Sequence, residues 1–197
     1  MNHSYQDLTL LWAKGNALEK TWNAFVQTRH YRGHRITVGR SVKYLVRQRD
    51  NYVAAISFAS AAWGIEQRNL VLQHIGIPPW EIRDLVINNS RFLILAKKGV
   101  LNLASRILRL ATSRVADDWY RYYSIRPRIV ETFVEPSRFE GTCYKAANWI
   151  AVGQTRGFKK SGDAHSNSQQ PKLMFLYGLN AATRRRLFEF AAHPIRC

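Results

Sequence analysis

The sequence predicts one α/β domain (α+β in the looser sense) built on a mixed central sheet flanked by helices. Three observations carry that expectation. Of the 197 residues, 46% are hydrophobic, enough for one sizeable core. From residue 85 onward, β-rich runs alternate with helix-periodic ones, which argues for strands linked through helices. No internal repeat is visible, and no apolar run reaches the roughly 18 residues of a membrane span.

The elements follow in order. Leu8, Leu11, Trp12, Leu18, Trp22, Phe25 and Val26 keep helical spacing, so residues 1–27 read as an N-terminal helical segment with Asp7 as its N-cap. A core unit spans 28–157. Within it, Val42–Arg47 and Tyr52–Ala59 flank Arg49-Asp50-Asn51, a hairpin signal. Residues 65–84 carry no clear periodicity, and Pro78-Pro79-Trp80 stops any helix there. Leu85–Leu95 is strand-like, with a polar interruption at Asn88-Asn89-Ser90 that suggests a bulge facing a ligand. Leu101, Ala104, Ile107, Leu108, Ala111, Val115 and Trp119 share one face of a long helix, capped by Asn102. A strand over 128–134, a short helix over 141–149 and a strand over 150–155 complete the core. Residues 158–171 are polar without apolar periodicity and read as a mobile loop. A strand and a helix, over 172–197, close the chain.

Thirty Lys and Arg oppose thirteen Asp and Glu, a formal net charge of +17. Such an imbalance costs self-repulsion and points to an acidic partner, most directly nucleic acid, either DNA or RNA. Arginine dominates, and its planar fork matches phosphate oxygens. A membrane surface is a poorer fit, because the cations do not gather on one amphipathic helix. The N-terminus lacks the order of a secretory signal, and two cysteines supply no disulfide framework, so a reducing cytoplasm is expected.

Two basic segments stand out. Thr28–Arg40 places Arg29, His30 and Arg32 around Tyr31, a composition suited to phosphate contact with base stacking, or to a solvated turn. Arg138, Lys145, Arg156, Lys159 and Lys160 form the second; together with Arg91 they suit several phosphates, or a solvated basic face. Tyr144 and Trp149 are further stacking candidates. Asn148 lies four residues after Tyr144 and suits a base edge or a strand-turn cap.

Glu131 lies in an apolar strand, where a carboxylate needs a partner or its pKa rises. It reads either as an ion pair with Arg91 or Arg138, or as a general base or metal-binding carboxylate. Tyr144 suits a phosphodiester nucleophile, an acid, a stacking platform or a satisfied core tyrosine. Glu131 and Tyr144 are therefore the catalytic candidates. Cys143 is expected to be buried and inert. Asp117-Asp118 could hold Mg²⁺ for nuclease chemistry, or be a solvated helix end. His30 and His34 share helical spacing without a third ligand, so no metal site is expected.

Three segments resemble the DruA family, named for the Druantia anti-phage system and also found beside transposase genes. They are Asn88-Asn-Ser-Arg-Phe-Leu-Ile-Leu95, Asn102-Leu-Ala-Ser105, and Glu131-Thr-Phe-Val134 with Arg138-Phe-Glu-Gly-Thr-Cys-Tyr-Lys-Ala-Ala-Asn-Trp149 and Gly153-Gln-Thr-Arg-Gly157. Arg29-His-Tyr-Arg-Gly33 and Val53-Ala-Ala-Ile-Ser-Phe58 are similar too. The resemblance spans about residues 25–180 and departs at Arg68-Asn69, where Arg-Asp is expected. It implies a prokaryotic mobile-element or phage-defence setting, with partner proteins from such a system. The element order over 85–155 also resembles the GNAT acyltransferase fold, and Tyr144-x-x-x-Asn148-Trp149 is similar to its Tyr-x-x-x-Gly-Phe. In that fold such a tyrosine can protonate a departing CoA thiolate, which implies acetyl-CoA as cofactor. The corresponding stretch, Lys97–Leu103, has one glycine where that fold wants a bare phosphate-binding turn. Three functions remain open: nucleic-acid binding with phosphodiester chemistry, CoA-dependent acyl transfer, and a non-catalytic subunit that positions nucleic acid.

Overall fold

Apolar-rich runs buried on both faces, separated by a few chain breaks, build a seven-stranded mixed sheet with helices on both sides. The computed structural model describes residues 8–31, 39–61, 64–96, 100–156, 159–161, 164–166 and 170–193. Strand β1 (Leu8–Trp12) leads into α1 (Ala17–Arg29), then the hairpin β2 (Ser41–Gln48) and β3 (Asn51–Ser60). Helix α2 (Glu66–His74), a 3-10 turn at Pro79–Glu81 and the single turn α3 (Ile82–Leu85) fill the stretch that carried no periodicity. Then come β4 (Val86–Ile94), α4 (Leu103–Tyr123), β5 (Ile129–Val134), α5 (Thr142–Ala146) and β6 (Ile150–Gln154). A small hairpin, β7 (Lys159–Ser161) with β8 (Ala164–Ser166), precedes β9 (Leu173–Gly178) and α6 (Ala181–Ala192). The sheet order is β1-β2-β3-β4-β5-β9-β6, and β4–β5 is its parallel pair.

Three expectations are corrected. The N-terminal helix begins at Ala17; the residues before it pair antiparallel with β2, Leu8 opposite Gln48 through Trp12 opposite Tyr44. Gly15 at φ 72° turns the chain, and Asn16 caps α1 by accepting from the Leu18 N–H at 3.1 Å. Five apolar-rich residues fit a strand or a helix turn equally, and the exposed edge of β2 decides for the strand. Asp7 lies outside the described residues. Asn102 stands at the α4 cap position with φ 57°, but its side chain makes no capping bond; its carbonyl takes the Ser105 hydroxyl at 3.0 Å. The polar stretch expected as a loop contains the β7–β8 hairpin, a sheet of its own.

On one face α4 lays Ile107, Leu108, Ala111, Val115 and Trp119 over Tyr44, Val46, Ile56 and Phe58. On the other, α1 presses Trp22 and Val26 against Leu45 and Ala55. Lys43 pins α1 to β2 through Glu19 at 2.7 Å, which fixes where the helix delivers Arg29, His30 and Tyr31. A third cluster joins α2, β5, β9 and α6 through Leu72, Ile129, Leu176 and Leu187. Helix α6 can lie close because Gly178 has no side chain: a Cβ there would sit 2.5 Å from the Arg184 backbone nitrogen. No described helix is long and apolar enough to cross a membrane.

Candidate functional site

The sheet opens at its parallel seam. β4 and β5 pair at Val86–Ile129, Ile87–Val130 and Asn88–Glu131, and the pairing stops there. The cause is local. Across β3, the register slips between Ser57, opposite Arg91, and Phe58, opposite Asn89, so Ser90 is an extra residue. A bulge bends its strand. The polar side chains hold this one: Asn89 Nδ2 donates to the Ser57 carbonyl at 3.0 Å, and the Ser57 and Ser90 hydroxyls meet at 3.0 Å. Beyond the seam lies a cleft of about 680 Å³ between the two strands, with Ala104 of α4 also lining it.

Tyr144 closes the inner end of the cleft. It donates to Asn89 Oδ1 at 2.9 Å, and Thr132 Oγ1 lies 3.4 Å from its oxygen. Its ring stacks on Phe175 and meets Phe92 and Trp149 edge-on. Burial pushes its hydroxyl well above the ordinary 10, so it stays a proton donor. Gly141 starts α5 at φ 71°, and a Cβ there would stand 2.6 Å from the Phe175 ring, so this turn requires glycine. Cys143 is half-buried at the cleft, and burial raises its thiol pKa, which keeps thiolate scarce.

The mouth is built from two distant segments, the end of α1 and the turn after β5. Tyr31 is 42% exposed, His30 stacks on it at 4.9 Å, and the Arg138 guanidinium lies 5.0 Å from its centroid. Phe139, 51% exposed, stands 5.7 Å away, and Arg29 completes the rim. Of the lining residues, Arg29 and Arg138 oppose Glu135 and Glu140, so the cleft is formally balanced while the chain is strongly basic.

Glu131 sits elsewhere. It is fully buried and ion-paired with Arg68 of α2 at 2.8 Å, not with Arg91 or Arg138. Asn88 Nδ2 stands 3.4 Å from its second oxygen. Asn69, at the position where Arg-Asp was expected, accepts from Arg68 through its amide oxygen at 3.1 and 3.0 Å. An amide there serves the guanidinium without adding a second buried negative charge.

The remaining candidates divide. Arg29, His30, Tyr31, Arg138 and Tyr144 meet at the cleft. Arg91 donates to the Ser90 carbonyl at 2.7 Å. Arg156 pairs with Glu66 at 2.9 Å. Lys145 is exposed on α5. Asn148 does not share a helical face with Tyr144: α5 ends at Ala146, and Asn148 takes the left-handed conformation at φ 63°, exposed. Trp149, 3% exposed, and Tyr144, 8% exposed, pack in the core and present no free face for a base. Arg32 and His34 lie outside the described residues, as do the side chains of Lys159 and Lys160. Asp117 and Asp118 diverge: Asp118 is buried and bound by Arg114 at 2.7 Å and by the Tyr44 hydroxyl at 2.8 Å, while Asp117 faces Arg126. Among the described residues, no three His, Cys, Asp or Glu side chains gather in metal-binding geometry. The sequence singled out Asn89 only within the polar interruption at 88–90, and gave no functional role to Arg68, Thr132 or Phe139. Phe139, Thr132 and Asn89 lie in the segments that resemble the DruA family; Arg68 lies in the stretch without periodicity.

No curated protein matches the sequence. Among solved structures, the aminoglycoside acetyltransferase AAC(6')-Ib in complex with coenzyme A is similar at TM-score 0.52 and 13% identity, over 92% of this chain and 97% of that one. The same enzyme with paromomycin and acetyl-CoA gives 0.51 at 11%, over 96% and 99%. An IAA acetyltransferase from Bacillus cereus ATCC 14579 gives 0.51 at 8%, over 87% and 99%. At such identities the likeness is one of fold, and the fold is GNAT-like, as expected. The family profile described as Druantia protein DruA matches residues 11–178, from β1 to the last strand and so through both the cleft and the Arg68–Glu131 pair, and the chain belongs to that family.

Proposed function

We propose that this chain binds nucleic acid within a prokaryotic defence or mobile-element system, and that the cleft mouth holds the strand. One observation carries the reading: a half-exposed Tyr31 braced between the Arg138 guanidinium and His30, with Phe139 beside it, on a chain of net charge +17. An aromatic face offers a base a stacking surface, and adjacent guanidinium groups take the phosphates on either side. Arg29 and Arg138 fill the phosphate role, and Tyr31 the base role. Tyr144 braces the floor of the cleft by donating its one proton to Asn89, and its burial opposes the anionic form a nucleophile needs. Glu131 is buried against Arg68 and is not among the residues that line the cleft. The reading is therefore one of holding and positioning, with any cutting left to partner proteins.

The test is binding of labelled single- and double-stranded DNA and RNA across a salt series. Expected is tight binding to one of the four at physiological salt. Tyr31→Ala should weaken it about fivefold to a hundredfold. Arg138→Ala should reduce the salt slope by about one. Weak binding to all four sinks the proposal. Cleavage by the purified chain with Mg²⁺, abolished in Tyr144→Phe, would replace positioning with catalysis.

A second reading has its own support. The parting of β4 from β5 leaves a cleft of a size that suits a small-molecule ligand, in a fold whose solved relatives hold coenzyme A. A rise in melting temperature with acetyl-CoA at low concentration would favour acyl transfer; no shift would count against it.

A further inference from the structure

The parallel seam leaves a strand edge without a partner. Past the last rung, Asn88–Glu131, β4 runs on to Ile94 and β5 to Val134. Each stays paired on its outer side, Ile94 opposite Ala54 and Val134 opposite Leu173. Hydrogen bonding fixes which groups of β4 face inward. The Leu95 N–H donates to the Val53 carbonyl at 2.8 Å. Main-chain groups alternate sides along a strand, so those of Leu93 also face β3, while those of Phe92 and Ile94 point into the cleft. The Ser60 N–H, bonded to the Arg40 carbonyl at 3.0 Å, sets the same phase from the other side of β3. Among the described residues, no group bonds to the main chain of Phe92 or Ile94. The sheet's outer edge at β1 is treated differently. There Arg114 takes the Leu10 carbonyl and Asn16 the Trp12 carbonyl, each at 2.9 Å, which blunts the edge against further pairing.

The chemistry of that edge selects its occupant. Two N–H and two C=O groups at strand spacing ask for acceptors and donors in alternation, which an extended peptide supplies at every second residue. A phosphodiester backbone offers acceptors alone and leaves both carbonyls unanswered. The strands meet at Asn88–Glu131 and Tyr144 closes that end, so a chain running in from the mouth must stop there, as a terminal tail does. A strand laid on this edge sends alternate side chains to opposite faces of the sheet. One set meets Phe92, Tyr144 and Ala104, an apolar surface on the α4 side; the other meets Leu93 and the end of α1. Arg29 and Arg138 balance Glu135 and Glu140 in the lining, which suits a peptide of low net charge.

We infer that the cleft-facing edge of β4 takes the extended end of a partner protein, which adds a strand at the open seam. The inference does not rest on the nucleic-acid reading, since it uses the main chain of Phe92 and Ile94 rather than the side chains of the mouth.

The experiment selects a displayed library of random heptapeptides on the intact chain, then remakes the binders with N-methyl groups on alternate residues. Methylating one alternate set should cost about tenfold or more in affinity, and the other set little, because one edge of the peptide meets β4. Hydrogen exchange gives a second readout. In the free chain the Phe92 and Ile94 amides should exchange faster than the Leu93 amide, and the peptide should slow both. Ile94→Pro removes a cleft-facing N–H that the β3 ladder does not use, so it should melt near the parent and lose the peptide. Ala104→Leu crowds the cleft without touching a hydrogen bond and should also weaken binding, which covers a proline variant that fails to fold. No binder from the library, or equal effects from both methylated sets, overturns the proposal. So does protection of the Phe92 and Ile94 amides equal to that of Leu93 before any peptide is added. Protection of those amides by acetyl-CoA and by no peptide would assign the edge to a cofactor and overturn it as well.

Discussion

Two arginine–carboxylate pairs lie four residues apart along β5 and the turn beyond it, and they do opposite things. Glu131 meets Arg68 at 2.8 Å, with side chains 0% and 2% exposed. Glu135 meets Arg138 at 3.8 Å, with side chains 28% and 55% exposed. The chemistry is the same, but the surroundings are not. In the sealed pair each ion has lost its water and depends on the other, so the pair locks α2 to the sheet whatever its net contribution. In the open pair water screens the attraction, and the arginine keeps a face for Tyr31. An arginine beside a glutamate therefore says nothing about function until burial is known.

Three changes test this contrast. The largest effect belongs to the sealed pair. Arg68→Met strands a buried carboxylate and should cost about 3–5 kcal/mol, read as a large drop in the urea midpoint. Arg68→Met with Glu131→Leu should recover much of that loss. A small effect from the single change would mean water reaches Glu131, and the contrast would fail.

An intermediate effect belongs to Tyr144, which joins the sealed interior to the cleft. Tyr144→Phe leaves the Asn89 amide oxygen short of a donor and should cost about 1–3 kcal/mol. The hydroxyl's folded pKa is raised above its unfolded value near 10 by burial. Its contribution is therefore fully present below pH 10 and is lost as pH rises further, because only the unfolded chain releases the proton. The parent should lose stability above pH 10 more steeply than Tyr144→Phe, as urea unfolding at pH 8 and pH 11 would reveal. Equal slopes would mean the hydroxyl ionises as freely in the folded state.

The smallest stability effect belongs to the open pair. Glu135→Gln should change folding by less than about 1 kcal/mol. It also removes a negative charge from the rim, so nucleic-acid affinity should rise. A loss of several kcal/mol would make the mouth a structural device like the Arg68–Glu131 pair.

Much of the frame was legible in the residues. The apolar face of α4, the hairpin at Arg49-Asp50, and the polar interruption at Asn88–Ser90 announced themselves through period, turn chemistry and misplaced amides. The N-terminal strand did not, because Leu8–Trp12 is too short for periodicity to separate strand from helix, and only the waiting edge of β2 decides. Of the site candidates, Tyr31 and Arg138 come together although 107 residues separate them, since the end of α1 and the turn after β5 meet over the seam. Trp149 and Asn148 are adjacent in the Arg138–Trp149 segment, yet one is buried and the other turns outward.

By itself the sequence determined composition-level facts and local ones. These are a strongly basic chain, a mixed sheet with helices, a short helix after Gly141, and a bulge where amides interrupt a strand. Each depends on residues within a turn or two of one another, or on a sum over the whole chain. Tertiary structure alone decided which carboxylate met which arginine, where the parallel seam opened, and which aromatic rings faced water. Those outcomes turn on desolvation and on contacts between segments far apart in the chain, and no single segment carries that information.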